Sequence, residues 1–503
     1  MRLSRTLLNM TLNKPGVGLF HSKVKKTIPY RSLASDAAKA SANLLHAAVM
    51  NGEFAKAEQL STNKAYLNKR ANIFWMPMNQ NVQGWAPLHI AASKGCCDTV
   101  SMLIKAGAKI DLQDFQNQTP LHLAVLEGHY EVVDALLKSG AEIEVENDVH
   151  WTVTHIAASK GYYEILKLLI DQGANKDKQD SYGCTPLHLA VNENHLQVVS
   201  YLLSVGADTN TREKYGSLYT PLHLAVQKNQ KAVVQSLLNH GADIEAKTIG
   251  GWTMLHIAVN FRHLNIVNLL ISEGANLDAK DHNGMAPLHL AASPVYSLNL
   301  LIDRGHKDLV NLLIRAGVHK EVKNNLGETS LHLAAGCGNK EVTKALLTLG
   351  LEIDAETNDG KTPLHSAANY VDTTRTLLKF GASVNVKDKQ GATPLHISSI
   401  HGNETVLRLL LLAGADKNAK THKNCTPLMS AALAATKQSN HYSIIKTLLS
   451  ANVDVNVKTT LSAKDILEQR GFEAYASRLS DRHQKAVMPL EVCSAASRRD
   501  SGL

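Results

Sequence analysis

The sequence predicts an all-α repeat solenoid, in which short helix-turn-helix units with β-hairpin loops stack in a curved superhelix. Three observations predict this class. A histidine recurs at nearly constant spacing, an apolar helical pattern accompanies each one, and aromatic residues make up only 5% of the chain. A fixed period near 33 residues is the signature of stacked repeats that share one thin core. The landmark histidines, separated by 33, 33, 33, 35, 33, 33, 43, 33 and 31 residues, are His89, His122, His155, His188, His223, His256, His289, His332, His365 and His396.

Each repeat carries the signals of two short helices. Thr119 suits the N-cap of the first helix and Pro120 its first position, where the missing N–H costs nothing. The second helix is predicted around the apolar pairs Val132-Val133 and Leu136-Leu137. Gly140 then suits the left-handed position after the helix, and polar Asp/Asn/Gly segments fill the hairpin. No such helix pair buries its apolar face alone, so stacking on neighbours is required.

These motifs amount to a family resemblance. TPLHLA at 119–124 and 185–190, with GAD at 206–208, 241–243 and 414–416, resembles ankyrin repeats. The resemblance covers residues 43–479 and implies about 13 units. We expect a basic disordered or targeting arm over 1–40 and an array over 41–479, followed by a disordered tail over 480–503. Within the array we expect a divergent first unit at 41–76, regular units over about 81–458 and a closing unit over about 459–479.

Two units depart from the regular spacing. The 43-residue step after His289 places about ten extra apolar residues, 294–304, between the two helices of that unit. We expect them to lengthen a helix or to cover their own repeat. The 31-residue step after His365 predicts that the helix-helix turn near Tyr370 is deleted.

The positive charge is concentrated at one end of the chain. Residues 1–40 hold eight Lys or Arg and a single Asp, a net +7, which leaves +1 for the rest of a chain with +8 in total. A nearly neutral array lacks the basic field that nucleic-acid binding requires, so we do not expect nucleic acid as its partner. The basic, acid-poor arm resembles a mitochondrial presequence; Pro15 and the glycines that follow favour a disordered arm instead.

The sequence offers no catalytic constellation. The six cysteines show neither CxxC pairs nor zinc spacing, which is typical of reduced thiols in an intracellular protein. Ten of the histidines occupy one repeated position, where the ankyrin resemblance implies a structural hydrogen-bonding role. No metalloprotease, phosphate-loop or nucleophile-elbow motif occurs, and no apolar run approaches the length of a membrane span. We therefore expect no enzyme activity, cofactor, metal or membrane insertion.

Aromatic residues cluster at the predicted hairpin tips in the first half of the array. Three of the four tryptophans lie four residues before a landmark histidine, and a tyrosine occupies that position in a fourth unit. Tryptophan and tyrosine dominate binding hot spots, so we predict partner contacts there; packing of each ring on the next hairpin is the alternative. The predicted partner-binding residues are Trp85, Trp151, Tyr219, Trp252, Tyr182 and Tyr215.

The function predicted from these features is a non-catalytic scaffold or adaptor. Its partners are expected to be other proteins, bound through hairpin tips and the concave helix surface. Two alternatives stay open: an ankyrin effector that an intracellular bacterium secretes into its host, and a regulatory or inhibitory subunit of an enzyme or transcription factor. We expect a cytoplasmic location; the effector alternative predicts the host cell, and a presequence predicts mitochondria.

Overall fold

The computed structural model describes residues 36–70, 84–293, 305–435, 441–454, 457, 463–469 and 476–477. In these residues all regular secondary structure is helical, and no strand is formed. The chain divides into two compact units, Met1–Gly250 and Gly251–Leu503.

The first unit holds helices α1 to α13. Helix α1 begins inside the segment predicted as the N-terminal arm, where an alanine-rich run favours helix. The helices are α1 Asp36–Asn51, α2 Phe54–Ser61, α3 Lys64–Leu67, α4 Pro87–Ser93, α5 Cys97–Lys105, α6 Pro120–Leu126, α7 Tyr130–Lys138, α8 Val153–Lys160, α9 Tyr163–Asp171, α10 Pro186–Asn192, α11 Leu196–Ser204, α12 Pro221–Gln227 and α13 Lys231–Asn239.

The second unit holds helices α14 to α26. They are α14 Met254–Asn260, α15 Leu264–Ser272, α16 Pro287–Ala292, α17 Gly305–Arg315, α18 Ser330–Gly336, α19 Lys340–Thr348, α20 Pro363–Ser366, α21 Val371–Lys379, α22 Pro394–His401, α23 Glu404–Leu412, α24 Pro427–Ala434, α25 His441–Ser450 and α26 Ala463–Gln469. The residues expected to form the closing repeat are described only in part, so the number of about 13 units stays a prediction.

The repeats pack in two parallel rows of helices. In the first unit, α6 contacts α4 and α8, while α7 contacts α5 and α9, and the same order continues to α13. The second unit repeats this pattern from α14 to α25. The predicted apolar face is the core, since Leu121, Val133 and Leu136 are at most 1% exposed. Helices of seven to nine residues are too short to be stable in water alone, so this packing stabilises them.

A glycine between the two helices of a repeat is required by an aromatic ring of the next repeat. Gly95 has φ +73°, a left-handed conformation that favours glycine. A Cβ atom there would lie 2.6 Å from Nδ1 of His129, whose Nε2 donates to the carbonyl of Ser93 at 2.9 Å. His195 covers Gly161 in the same way.

The two irregular units lie in the second half of the chain. The apolar insert 294–304 is outside the described residues, between the end of α16 and the start of α17. The prediction that the helix-helix turn near Tyr370 is deleted was wrong. Helix α20 is shortened to four residues instead, and a turn remains, in which Tyr370 N donates to Ala367 O at 2.7 Å. Removing residues from a helix end leaves the packing of α21 intact, whereas removing the turn would not.

Hydroxyl groups replace apolar groups in the core of the second unit. Ser330, at the start of α18, and Thr373, in α21, are both fully buried. Neither hydroxyl has a hydrogen-bond partner among the described residues. Thr374 is also buried, but its hydroxyl donates to Ala367 O at 2.8 Å. An unsatisfied buried hydroxyl costs free energy, so these repeats are less well stabilised than their apolar counterparts.

Candidate functional site

The landmark histidine closes the start of the first helix in each repeat. In α6, the Thr119 N–H donates to His122 Nδ1 at 3.2 Å, and the Thr119 hydroxyl lies 2.8 Å from the same atom. Because Nδ1 accepts a backbone N–H, the ring proton of the neutral imidazole must be on Nε2. Nε2 then donates to the carbonyl of Trp151 in the next repeat, at 3.3 Å.

The same two bonds recur along the chain and tie neighbouring repeats together. The Nε2 atom of each ring reaches a carbonyl oxygen in the following hairpin at 2.9 to 3.3 Å; these histidines are His46, His89, His122, His155, His188, His256, His289, His332, His365 and His396. The set includes His46 of the divergent first unit. We call it the histidine ladder.

Burial keeps seven of the ladder histidines neutral. Desolvation lowers the pKa of His89, His122 and His332 to about 4, against an ordinary value of 6.5. Desolvation also lowers the pKa of His155, His289, His365 and His396. A buried ring with both nitrogens engaged in hydrogen bonds is a structural group, because it presents no free lone pair to a substrate or metal.

The three tip tryptophans bridge adjacent hairpins. The indole Nε1 of Trp85 donates to Asp114 Oδ2 at 3.1 Å, and Trp151 and Trp252 make the same bond to Asp180 and Asp281 at 2.9 and 3.2 Å. Each ring is partly buried. These rings therefore bind the next hairpin, as the alternative interpretation of the sequence predicted. Their contact with a partner protein stays a prediction.

The aspartate that receives the indole also shapes its own hairpin. Asp114 Oδ1 accepts the N–H groups of Gln116 and Gln118, both at 2.8 Å, while Oδ2 takes the Trp85 indole. Burial raises the pKa of Asp114, and these three donors oppose that shift. Asp180 and Asp281 make the matching backbone bonds. Tryptophan and aspartate thus hold one hairpin tip against the next.

The predicted tyrosines divide into two groups. Tyr219 is partly buried, and its ring stacks on His223 at 5.4 Å between centroids. Tyr182 and Tyr215 project from their tips and are 57% and 67% exposed. The structure therefore separates two solvent-facing aromatic side chains from four that pack within the array.

Three further exposed apolar side chains accompany these tyrosines. Phe115, Val149 and Ile249 are 53%, 41% and 61% exposed. They lie at the tips of three different hairpins of the first compact unit, Met1–Gly250. The sequence prediction did not include them, because only tryptophan and tyrosine were taken as binding residues at the tips. All three lie six or seven residues before a landmark histidine, close to the aspartate that shapes the hairpin or the residue in the matching position. We call Phe115, Val149, Tyr182, Tyr215 and Ile249 the apolar tip row.

Backbone hydrogen bonds hold this row in order. Asp148 N donates to Gln116 O, Ser181 N to Val149 O, and Lys214 N to Tyr182 O, at 3.1, 3.2 and 2.7 Å. Ile249 N donates to Ser217 O at 3.1 Å. Consecutive tips are thus in direct contact, and the row presents one apolar side chain per repeat in a fixed sequence.

Other chemistry is sparse in the described part of the chain. No group of three or more His, Cys, Asp or Glu there has the arrangement of a metal site. The five described cysteines form no disulfide. Among the described helices, none has both the length and the apolar character needed to cross a membrane.

Stacked helix pairs with projecting tips, tied by a buried histidine ladder, define a repeat solenoid whose exposed surface is suited to binding. A family model described as ankyrin repeats, in three copies, matches residues 45–147, 121–213, 154–248, 222–304, 298–388 and 369–459. The chain belongs to the ankyrin-repeat family, which confirms the resemblance and the predicted fold class.

One solved structure that the chain resembles is the ankyrin repeat domain of Bcl-3, described as a unique member of the IkappaB protein family. The identity is 29% over 46% of this chain and 99% of that domain, with a TM-score of 0.41. A comparison with curated proteins gave no match. Ankyrin repeats indicate protein partners in general, and such modules are typically non-catalytic.

Proposed function

We propose that this protein is a non-catalytic scaffold that binds partner proteins through its hairpin tips and the concave surface of its helices. The apolar tip row is the observation that carries the proposal. Five exposed apolar side chains on consecutive tips are more than scattered surface residues, and tyrosine brings large contact area at small entropic cost.

In this proposal some tip residues position the hairpins and others contact the partner. Trp85, Trp151 and Trp252 fix the hairpins through their bonds to the next repeat, and the part of each side chain that stays exposed contributes to the contact. Tyr182 and Tyr215 make the principal partner contacts, while Tyr219 supports its tip from within. Because the tips are joined by backbone bonds, little conformational entropy is lost when a partner binds.

The ladder histidines support the non-catalytic part of the proposal. Of the 24 histidines in the chain, the ten of the ladder are committed to hydrogen bonds between repeats. They hold the tips in place and are buried away from any substrate. A scaffold needs this rigidity rather than a reactive group.

A double variant tests the role of the exposed tyrosines. Tyr182→Ser/Tyr215→Ser is expected to lose the main partners in a quantitative crosslinking pull-down, because the apolar contact area is removed from two adjacent tips. Trp151→Phe is expected to weaken the same partners less, since it removes the indole N–H that positions a tip but leaves an aromatic ring. Far-UV circular dichroism checks that the fold is kept.

The matched control removes exposed apolar groups from another surface of the same unit. Tyr130 and Leu196, at the first positions of α7 and α11, are 41% and 44% exposed. Tyr130→Ser/Leu196→Ser should leave the partner set unchanged. Equal losses in both double variants, or none in either, would contradict a binding role for the tips.

We place the scaffold in the cytoplasm and propose that the basic N-terminal segment ahead of helix α1 carries no targeting signal. A chain that starts at Asp36 keeps helix α1 intact and removes most of the arm's charge. Mitochondrial import of the full chain alone would contradict this placement. Identification of the partners separates an adaptor from a secreted effector and from a regulatory subunit.

A further inference from the structure

Two neighbouring hairpins in the second unit carry a concentration of exposed lysines. One connects α21 to α22 and the other connects α23 to α24. Their tips are in contact, because His422 N donates to Gln390 O at 2.9 Å. The four exposed lysines, which we call the basic loop patch, are Lys387, Lys389, Lys420 and Lys423.

The loss of a carboxylate at one repeated position contributes to the basic charge of these loops. In the two repeats before them a carboxylate accepts a backbone N–H from the next hairpin, as Glu321 does from Glu352 and Asp354 does from Ser383; in the first unit Asn210 already occupies this position. In the two basic loops this acceptor is an amide. Asn385 Oδ1 accepts from Asp416 N and Asn418 Oδ1 from Asp454 N, both at 2.7 Å. The structural bond is kept while the negative charge is lost.

The carboxylates that remain in these loops are engaged in turns. Asp388 is 5% exposed, and its Oδ1 accepts the N–H groups of Gln390 and Ala392. Asp416 Oδ1 accepts the N–H of Asn418 at 2.9 Å. None of the four patch lysines has the oxygen of a described carboxylate within 4.0 Å of its Nζ. Their positive charge is available to a ligand.

An acidic hairpin bounds the patch on one side. Residues 350–361 carry Glu352, Asp354, Glu356 and Asp359 against Lys361 alone, a net −3. This hairpin adjoins the patch, because Lys389 N donates to Asp359 O at 2.8 Å. A long uniform polyanion lying along the tips would therefore meet repulsion one repeat away. The two basic loops also contain no arginine, the side chain that best matches phosphate geometry.

We propose that the basic loop patch binds a short acidic segment of a partner protein. Two repeats span about 20 Å at the usual spacing of packed helices, which corresponds to about six residues of extended chain. This inference rests on the proposed scaffold function and adds a second contact of defined charge. Electrostatic complementarity of this kind contributes mainly specificity and association rate.

Binding of a fluorescein-labelled peptide to the full chain tests the proposal. Glutamate peptides of four, eight and sixteen residues are the probes, followed by fluorescence anisotropy. Affinity should rise from four to eight residues and then level off, because a longer peptide reaches the acidic hairpin. Salt should weaken binding about tenfold between about 0.05 and 0.5 M, as expected for exposed charges.

Charge reversal locates the binding site. Lys389→Glu/Lys423→Glu should weaken binding of the eight-residue peptide at least about tenfold. Lys340→Glu/Lys344→Glu makes the same change of net charge on exposed lysines of α19 and should change binding by less than about twofold. Thermal unfolding of both variants verifies that they are folded. Equal losses in the two variants would overturn the assignment to the patch.

Two further measurements separate this ligand class from others. Glu356→Gln/Asp359→Asn should extend the footprint, so that the sixteen-residue peptide gains affinity over the eight-residue one. Tighter binding of a sixteen-nucleotide poly-U RNA or of anionic phospholipid vesicles, abolished by the patch reversal, would overturn the choice of an acidic peptide. Failure of the peptide to bind, with partner loss in the Tyr182/Tyr215 variant, would reject this inference and leave the scaffold function intact.

Discussion

Acidification should destabilise this protein through the histidine ladder. In the folded chain, His122 accepts the Thr119 N–H at Nδ1, so a proton on that nitrogen would place two donors against each other. The ring is fully buried, and desolvation opposes a positive charge. The unfolded chain exposes the same histidines to water, where they take up protons readily. Lowering the pH therefore favours the unfolded state.

The pKa shifts give the magnitude and the sign. The folded pKa of His89, His122 and His332 is about 4, below the ordinary 6.5. For a base with a lowered folded pKa, stability is complete above pH 6.5 and falls as the pH drops toward 4. At pH 5 each of these histidines costs about 2 kcal/mol, and the three together about 6 kcal/mol. This is a large part of the stability of a typical domain.

Urea unfolding at about pH 7 and about pH 5, followed by far-UV circular dichroism, measures this effect. His332→Gln removes one titrating ring, so the loss of unfolding free energy between the two pH values should shrink by about 2 kcal/mol. His422→Gln, at an exposed position, is the matched control. An unchanged urea midpoint at the lower pH would refute the argument, as would ladder rings that titrate near 6.5 in nuclear magnetic resonance spectra of the folded protein.

Two core positions give further predictions. Thr373→Val should raise the free energy of urea unfolding by about 1 kcal/mol, because it removes a buried hydroxyl without a partner among the described residues; a loss of stability would show that the hydroxyl is satisfied. Gly95→Ala should lower the unfolding free energy by more than about 2 kcal/mol through backbone strain and collision with the next repeat, whereas Gly107→Ala, with open space around it, should cost about 1 kcal/mol. Similar losses in the two alanine variants would mean that the neighbouring ring moves aside.

The repeat and its local geometry could be predicted from the sequence. Thr119, Pro120 and Gly140 mark helix ends through interactions with their own backbone, and the structure places helices α6 and α7 between them. Such signals act over a few residues and recur at a fixed period, so each repeat confirms the others. The structural function of the landmark histidines followed from the family resemblance and is confirmed by their bonds.

The candidate site depended on contacts that local signals do not specify. A tryptophan at a hairpin tip predicts a contact, but the sequence does not distinguish a contact with another protein from a contact with the next hairpin. Only the position of Asp114, 29 residues after Trp85, decided that the indole N–H is used within the chain. Tyr182 is exposed whereas Tyr219 stacks on a histidine ring, and this difference likewise depends on the packing of adjacent loops.

The sequence by itself determined that the chain is an array of helix pairs, where each pair begins, and that a buried histidine joins it to its neighbour. The tertiary structure decided which side chains of each tip remain in water, that a deletion shortens α20 rather than its turn, and that lysines 387, 389, 420 and 423 stand without acidic partners among the described residues. The physical reason is the difference in sequence range between the two kinds of interaction. Helix signals act within one turn, whereas exposure and charge pairing depend on residues about 30 positions away that only stacking brings together.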